Sequence, residues 1–80
     1  MFVYAIQSLY DGRIYVGMTN DLQKRIKEHN SGQTRSTKGY LPWVLFYNEI
    51  HTTRIEARIR EKYLKSGCGK EFLKSLIENQ

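Results

Sequence analysis

Eighty residues are enough for one domain with a single core, expected over 1–80, and 40% hydrophobic content with six tyrosines can fill it. Thirteen basic against eight acidic residues leave a net charge of +5; residues 22–80 carry the surplus, which favours a polyanionic partner. No apolar run approaches membrane-span length, no signal-peptide pattern follows Met1-Phe2-Val3, and the lone Cys68 excludes an internal disulfide or a cysteine-based zinc cluster, so the expected setting is cytoplasmic with no membrane partner.

Phe2-Val3-Tyr4-Ala5-Ile6-Gln7 favours a β-strand, with Phe2, Tyr4 and Ile6 on one face and Val3 and Ala5 on the other. Tyr10-Asp11-Gly12 supplies turn chemistry, and residues 13–17 return as the second strand of a hairpin. Tyr15 and Gly17 then share a face opposite Ile14, Val16 and Met18. A helix over about 21–29 turns Leu22 and Ile26 inward and stops at Asn30-Ser31-Gly32. Residues 32–39 have no periodicity and carry Arg35 and Lys38 among small polar residues, the pattern of an exposed basic loop. After Pro42, Trp43-Val44-Leu45-Phe46-Tyr47 predicts a third strand buried on both faces. Thr52 or Thr53 caps a second helix with Ile55, Ile59 and Tyr63 on one stripe. Gly67 and Gly69 break the chain around Cys68, and Phe72, Leu73, Leu76 and Ile77 mark a short third helix. The order β-β-α-β-α-α predicts an α/β domain of the α+β type, a three-stranded sheet covered by helices.

Arg25 and His29 stand at i and i+4, on one side of the first helix, which follows Tyr15 and Gly17 closely. A glycine there lets a backbone or a phosphate approach, and a tyrosine, an arginine and a histidine together can serve phosphodiester cleavage. The plainer alternative is a strand tyrosine, a solvated arginine and a core histidine, and taken alone these three residues favour it. Cleavage needs a group to take a proton from water, a counter-charge for the phosphate and help for the leaving oxygen, often a divalent cation on one or two carboxylates. Arg54, Arg58, Glu61 and Lys65 share one face of the second helix, making Glu61 the carboxylate set among cations; an ordinary Glu61–Lys65 pair is the alternative. His29 and His51 lie far apart and offer no zinc-ligand spacing, and no Walker A, G-x-G-x-x-G or G-x-S-x-G motif is present.

The ordered set Phe2-Val3-Tyr4, Tyr15-Val16-Gly17, Arg25, His29, Arg35-Ser36-Thr37-Lys38, Pro42-Trp43 and Glu56-Ala57-Arg58-Ile59-Arg60-Glu61 resembles the GIY-YIG nucleases, in particular their small single-domain bacterial members. The likeness extends through Lys62-Tyr63-Leu64-Lys65-Ser66-Gly67 and Glu71-Phe72-Leu73-Lys74, essentially the whole chain; the first motif lacks its leading glycine. The resemblance implies a central three-stranded antiparallel sheet and Mg²⁺- or Mn²⁺-dependent endonuclease hydrolysis of DNA. It implies Tyr4, Tyr15, Arg25, His29 and Glu61 as catalytic residues, Tyr4 as general base with His29 assisting, Tyr15 orienting water, Arg25 on the phosphate and Glu61 as metal ligand. Arg25 and His29 are expected to stabilise a tyrosine anion. Lys24, Arg35, Lys38, Arg58 and Lys65 are the expected DNA-binding cations. The implied substrates are DNA under repair or branched and flapped structures. Eighty residues leave little surface for tight sequence recognition, so a homodimer or a protein partner is expected to supply specificity. A basic nucleic-acid-binding module that keeps the fold without cutting is the alternative, and a protein-interaction module built on the Trp43 strand would need that strand to be an exposed edge.

Overall fold

The computed structural model describes residues 1–78, so the last two positions of the expected 1–80 domain lie outside the described residues. Strands β1 (Phe2–Ser8), β2 (Ile14–Thr19) and β3 (Trp43–Ile50) form an antiparallel sheet in the order β2-β1-β3. Helices α1 (Leu22–Asn30), α2 (Arg54–Lys65) and α3 (Gly67–Glu78) complete the order β-β-α-β-α-α, with one 3-10 turn over Lys38–Tyr40. The expected α+β class and topology are those observed.

β1 lies between the other two strands, and Val3, Tyr4, Ala5 and Ile6 are all fully buried. Its pleat divides the core in two. Val3 and Ala5, with Val16, meet Ala57 and Leu64 of α2 and Leu73 of α3. On the other face Tyr4, Ile6 and Trp43 pack with Tyr15 and with Leu22 and Ile26 of α1.

β3 corrects the expectation of a strand buried on both faces: it is an edge strand, with Val44 and Ile50 exposed. Ala5 pairs with Tyr47 and Ile6 with Leu45, which leaves Phe46 as the extra residue of a bulge. Phe46 and Tyr47 therefore both pack on the α2–α3 side, while Leu45 serves the other. One inserted residue makes a half-exposed strand read as a continuous apolar run. At its start, the Asn30 side chain accepts from the Trp43 N–H at 2.6 Å and donates to the Trp43 carbonyl at 2.9 Å.

In α2, Thr53 is the N-cap, accepting from the Glu56 N–H at 3.1 Å. Ala57, Glu61 and Leu64 are its buried residues. The expected stripe is corrected, since Ile55, Ile59 and Tyr63 are 75%, 65% and 44% exposed. Glu49 of β3 accepts from Arg60 Nε at 2.7 Å and from His51 Nε2 at 2.8 Å, a clasp that fixes the rotation of the helix and turns the small Ala57 to the sheet. Gly67 and Gly69, expected as a break, open α3 instead. The Ser66 N–H ends α2 on the Tyr63 carbonyl at 3.0 Å, and its hydroxyl accepts from the Gly69 N–H at 3.4 Å. A Cβ at Gly69 would collide with the Tyr63 carbonyl and the Leu64 backbone, so close packing of α3 on the end of α2 requires the glycine.

Candidate active site

Pairing of β1 with β2 sets Tyr4 opposite Gly17, and the Tyr4 ring lies over that glycine. A Cβ at Gly17 would fall 2.5 Å from the Tyr4 hydroxyl and 3.1 Å from Cε1 of Tyr15. The glycine expected to admit a backbone or a phosphate thus makes room for two tyrosine rings, whose centroids are 6.4 Å apart. Asp21 caps α1, accepting from the Lys24 N–H at 3.2 Å, and the helix carries Arg25 and His29 to the same place.

His29 is fully buried. Its Nε2 is 2.7 Å from the Tyr4 hydroxyl and its Nδ1 is 2.8 Å from the Thr37 hydroxyl. The Tyr15 ring stands edge-on to the imidazole at 5.0 Å. Arg25 reaches Glu28 at 3.1 Å, and its charge lies close enough to lower the Tyr4 pKa. Burial works against the arginine's charge, but Glu28 and the two tyrosines outweigh it and hold its pKa above the ordinary value.

Desolvation dominates the tyrosine–histidine pair. Burial pushes the Tyr4 hydroxyl up to about 12, although Arg25 opposes it, and the nearby tyrosine Tyr15 and carboxylate Glu61 add to the rise. Burial, with the Arg25 charge behind it, takes His29 down to about 4. At neutral pH Tyr4 keeps its proton and His29 is a neutral acceptor. The expectation that Arg25 and His29 together stabilise a tyrosine anion is corrected: one cation does not offset the loss of water, and the histidine is uncharged.

Glu61 is buried at 9% exposure on α2, which packs against β1 and β2, and its charge reaches Tyr4. Lys65 Nζ lies 3.3 Å and Arg58 Nε 3.8 Å from its carboxylate oxygens, both on exposed side chains free to swing outward. Among the described residues no group of three or more His, Cys, Asp or Glu could hold a metal. A single buried carboxylate fits a hard cation that keeps most of its waters, as Mg²⁺ does, and would not fit zinc.

Tyr4, Tyr15, Arg25 and His29 thus gather around Gly17, with Glu61 close enough to be felt electrostatically. Lys24 is exposed beside Arg25. Arg35 and Lys38 are exposed as well, but the loop between α1 and β3 is not wholly so: Thr37, between them, is fully buried. Charge marks the outer members of Arg35-Ser36-Thr37-Lys38, and the residue that reaches the site is the neutral one. Trp43 is a second such residue, its indole N–H donating to the Thr37 carbonyl at 2.9 Å. No helix among the described residues is long and apolar enough to cross a membrane.

The family model for the GIY-YIG catalytic domain matches residues 1–72. A UPF0213 protein of Staphylococcus saprophyticus is 36% identical over 78 residues, covering 96% of this chain and 94% of its own. UPF0213 proteins of Bacillus licheniformis and Bacillus pumilus are 40% and 42% identical, and the matches span 65% and 63% of their lengths. The solution NMR structure of a UPF0213 protein from Bacillus halodurans is similar over 94% of this chain and 82% of that one, with a TM-score of 0.56 and 36% identity.

Proposed function

Because this chain belongs to the GIY-YIG family of nuclease catalytic domains, we propose that it is a divalent-metal-dependent DNA endonuclease whose reacting groups are Tyr4, Tyr15, Arg25, His29 and Glu61. The observation that carries the reading is the 2.7 Å hydrogen bond between a buried tyrosine hydroxyl and a neutral histidine, with the charge of Arg25 close enough to act on the tyrosine. In this reading Arg25 holds the scissile phosphate, its fork of donors matching the phosphate oxygens. Tyr4 cannot act as a preformed anion, since its proton is held up to about pH 12. It takes a proton from the attacking water as it hands its own to His29 Nε2, so no free tyrosinate is needed and His29 is the final base. Tyr15, edge-on to the imidazole, orients the water. Glu61 would hold Mg²⁺ or Mn²⁺. When bound, such a cation offsets phosphate charge and eases departure of the leaving oxygen.

The substrate is DNA, and the substrates we propose are repair intermediates and branched or flapped structures in the cytoplasm, with Lys24, Arg35, Lys38, Arg58 and Lys65 along the backbone. A homodimer or a protein partner would supply specificity. The test is a nicking assay across single-stranded, duplex, flap and junction DNA with Mg²⁺ or Mn²⁺. Tyr4→Phe, Arg25→Ala and Glu61→Ala, each still folded, are expected to lower the rate by on the order of 10²–10⁴-fold. Salt-sensitive DNA binding without cutting in either metal, indifferent to Glu61→Ala, would establish the noncatalytic binder instead.

A further inference from the structure

The Thr37 hydroxyl is fully buried 2.8 Å from His29 Nδ1 and sits 3.4 Å from the Thr34 carbonyl. Its backbone is fixed on two sides, by its own N–H on the Thr34 carbonyl at 3.1 Å and by the Trp43 indole on its carbonyl at 2.9 Å. A neutral imidazole carries one proton, and its neighbours decide on which nitrogen. Two neighbours give the same answer. Thr37 has a carbonyl to which it can donate, which leaves its oxygen to accept from Nδ1–H. Tyr4 also lies near the positive charge of Arg25, which favours the tyrosine oxygen toward the arginine and its hydrogen toward Nε2, 2.7 Å away.

Resting on the nuclease reading above, we propose that Thr37 is a positioning residue that holds His29 in the Nδ1-protonated tautomer, leaving Nε2 bare to receive the Tyr4 proton. The chain of donors then runs one way, from water to Tyr4, to His29 Nε2. As the water O–H breaks, a bond forms to the Tyr4 oxygen; the Tyr4 O–H breaks, and Nε2 gains the proton. The Nδ1–H stays on Thr37 throughout. With the opposite tautomer Nε2 would already be protonated and could accept nothing.

The experiment is an imidazole ¹⁵N–¹H correlation spectrum of the full chain near pH 7, with His51→Gln assigning the second histidine, alongside steady-state nicking. In the wild type His29 is expected to show a protonated Nδ1 and a bare Nε2. Thr37→Val should move the proton to Nε2 and lower kcat by on the order of 10–100-fold with KM unchanged. Thr37→Ser should restore both the spectrum and the rate. A protonated Nε2 in the wild type overturns the proposal, as does a wild-type rate in Thr37→Val. Should Thr37→Val not fold, the wild-type spectrum together with Thr37→Ala decides. A wild type that cuts no DNA counts against the nuclease reading, while the spectrum still decides on Thr37.

Discussion

Gly17 is where a single methyl group matters most to the site. In Gly17→Ala the new Cβ would stand 2.5 Å from the Tyr4 hydroxyl, so the ring must leave its place over β2 and the bond to His29 Nε2 lengthens. Denaturant unfolding should show a loss of ~1–3 kcal/mol, and nicking should fall further than stability does. His29 makes a second prediction at this scale. Its folded pKa of about 4 lies below the ordinary 6.5, so between those values the unfolded chain binds the extra proton. The stability contributed by the neutral imidazole is therefore whole above pH 6.5 and drains away as pH falls toward 4, by as much as ~3 kcal/mol. Urea melts from pH 7 to 4 should show that slope in the wild type and a flatter one in His29→Gln. Tyr4, Tyr15, Arg25 and His29 were legible in the sequence through the resemblance to the GIY-YIG motifs; spacing alone placed Arg25 and His29 on one side of α1 and Tyr15 just before it. Thr37 was not, since a buried hydroxyl in an aperiodic loop leaves no pattern.

The elements divide the same way. β1, β2 and α1 follow from alternation, a turn and a cap. β3 misled because the bulge at Phe46 turns two consecutive aromatics to one face, and no single-sequence period registers an unpaired residue. α2 misled because Ile55 and Ile59 lie outside while Ala57, the residue that lets the helix approach, carries little hydrophobic signal. The Gly67-Cys68-Gly69 segment read as a break because glycine disfavours helix, yet Gly69 is there for contact. Gly69→Ala should push α3 off the end of α2 at a cost of ~1–3 kcal/mol, read as a lower urea midpoint. Cys68→Ala, one residue earlier and exposed, should stay within ~0.5 kcal/mol of wild type.

Across the whole molecule the sheet separates two territories. One face carries α2 and α3 and most of the aliphatic core; the other holds Tyr4, Tyr15 and His29 beneath α1. Lys24 on α1 and Arg35 and Lys38 beside Thr37 extend the second territory outward as exposed cations. If DNA lies along them, neutralising Arg35 and Lys38 to Gln should reduce the slope of log affinity against log salt by about one per lost phosphate contact. An unchanged slope would place the DNA elsewhere.

The chain contains one tryptophan, and it is 4% exposed, bonded to the Thr37 carbonyl at 2.9 Å, with its ring 6.4 Å from that of Tyr15. The protein therefore carries its own optical reporter, with no label needed. Light absorbed by Tyr15 can pass to Trp43, and the indole's emission responds to whatever shifts the loop that holds Thr37. A titration with uncleavable oligonucleotide, followed by fluorescence, would report from the inside on binding at the proposed site.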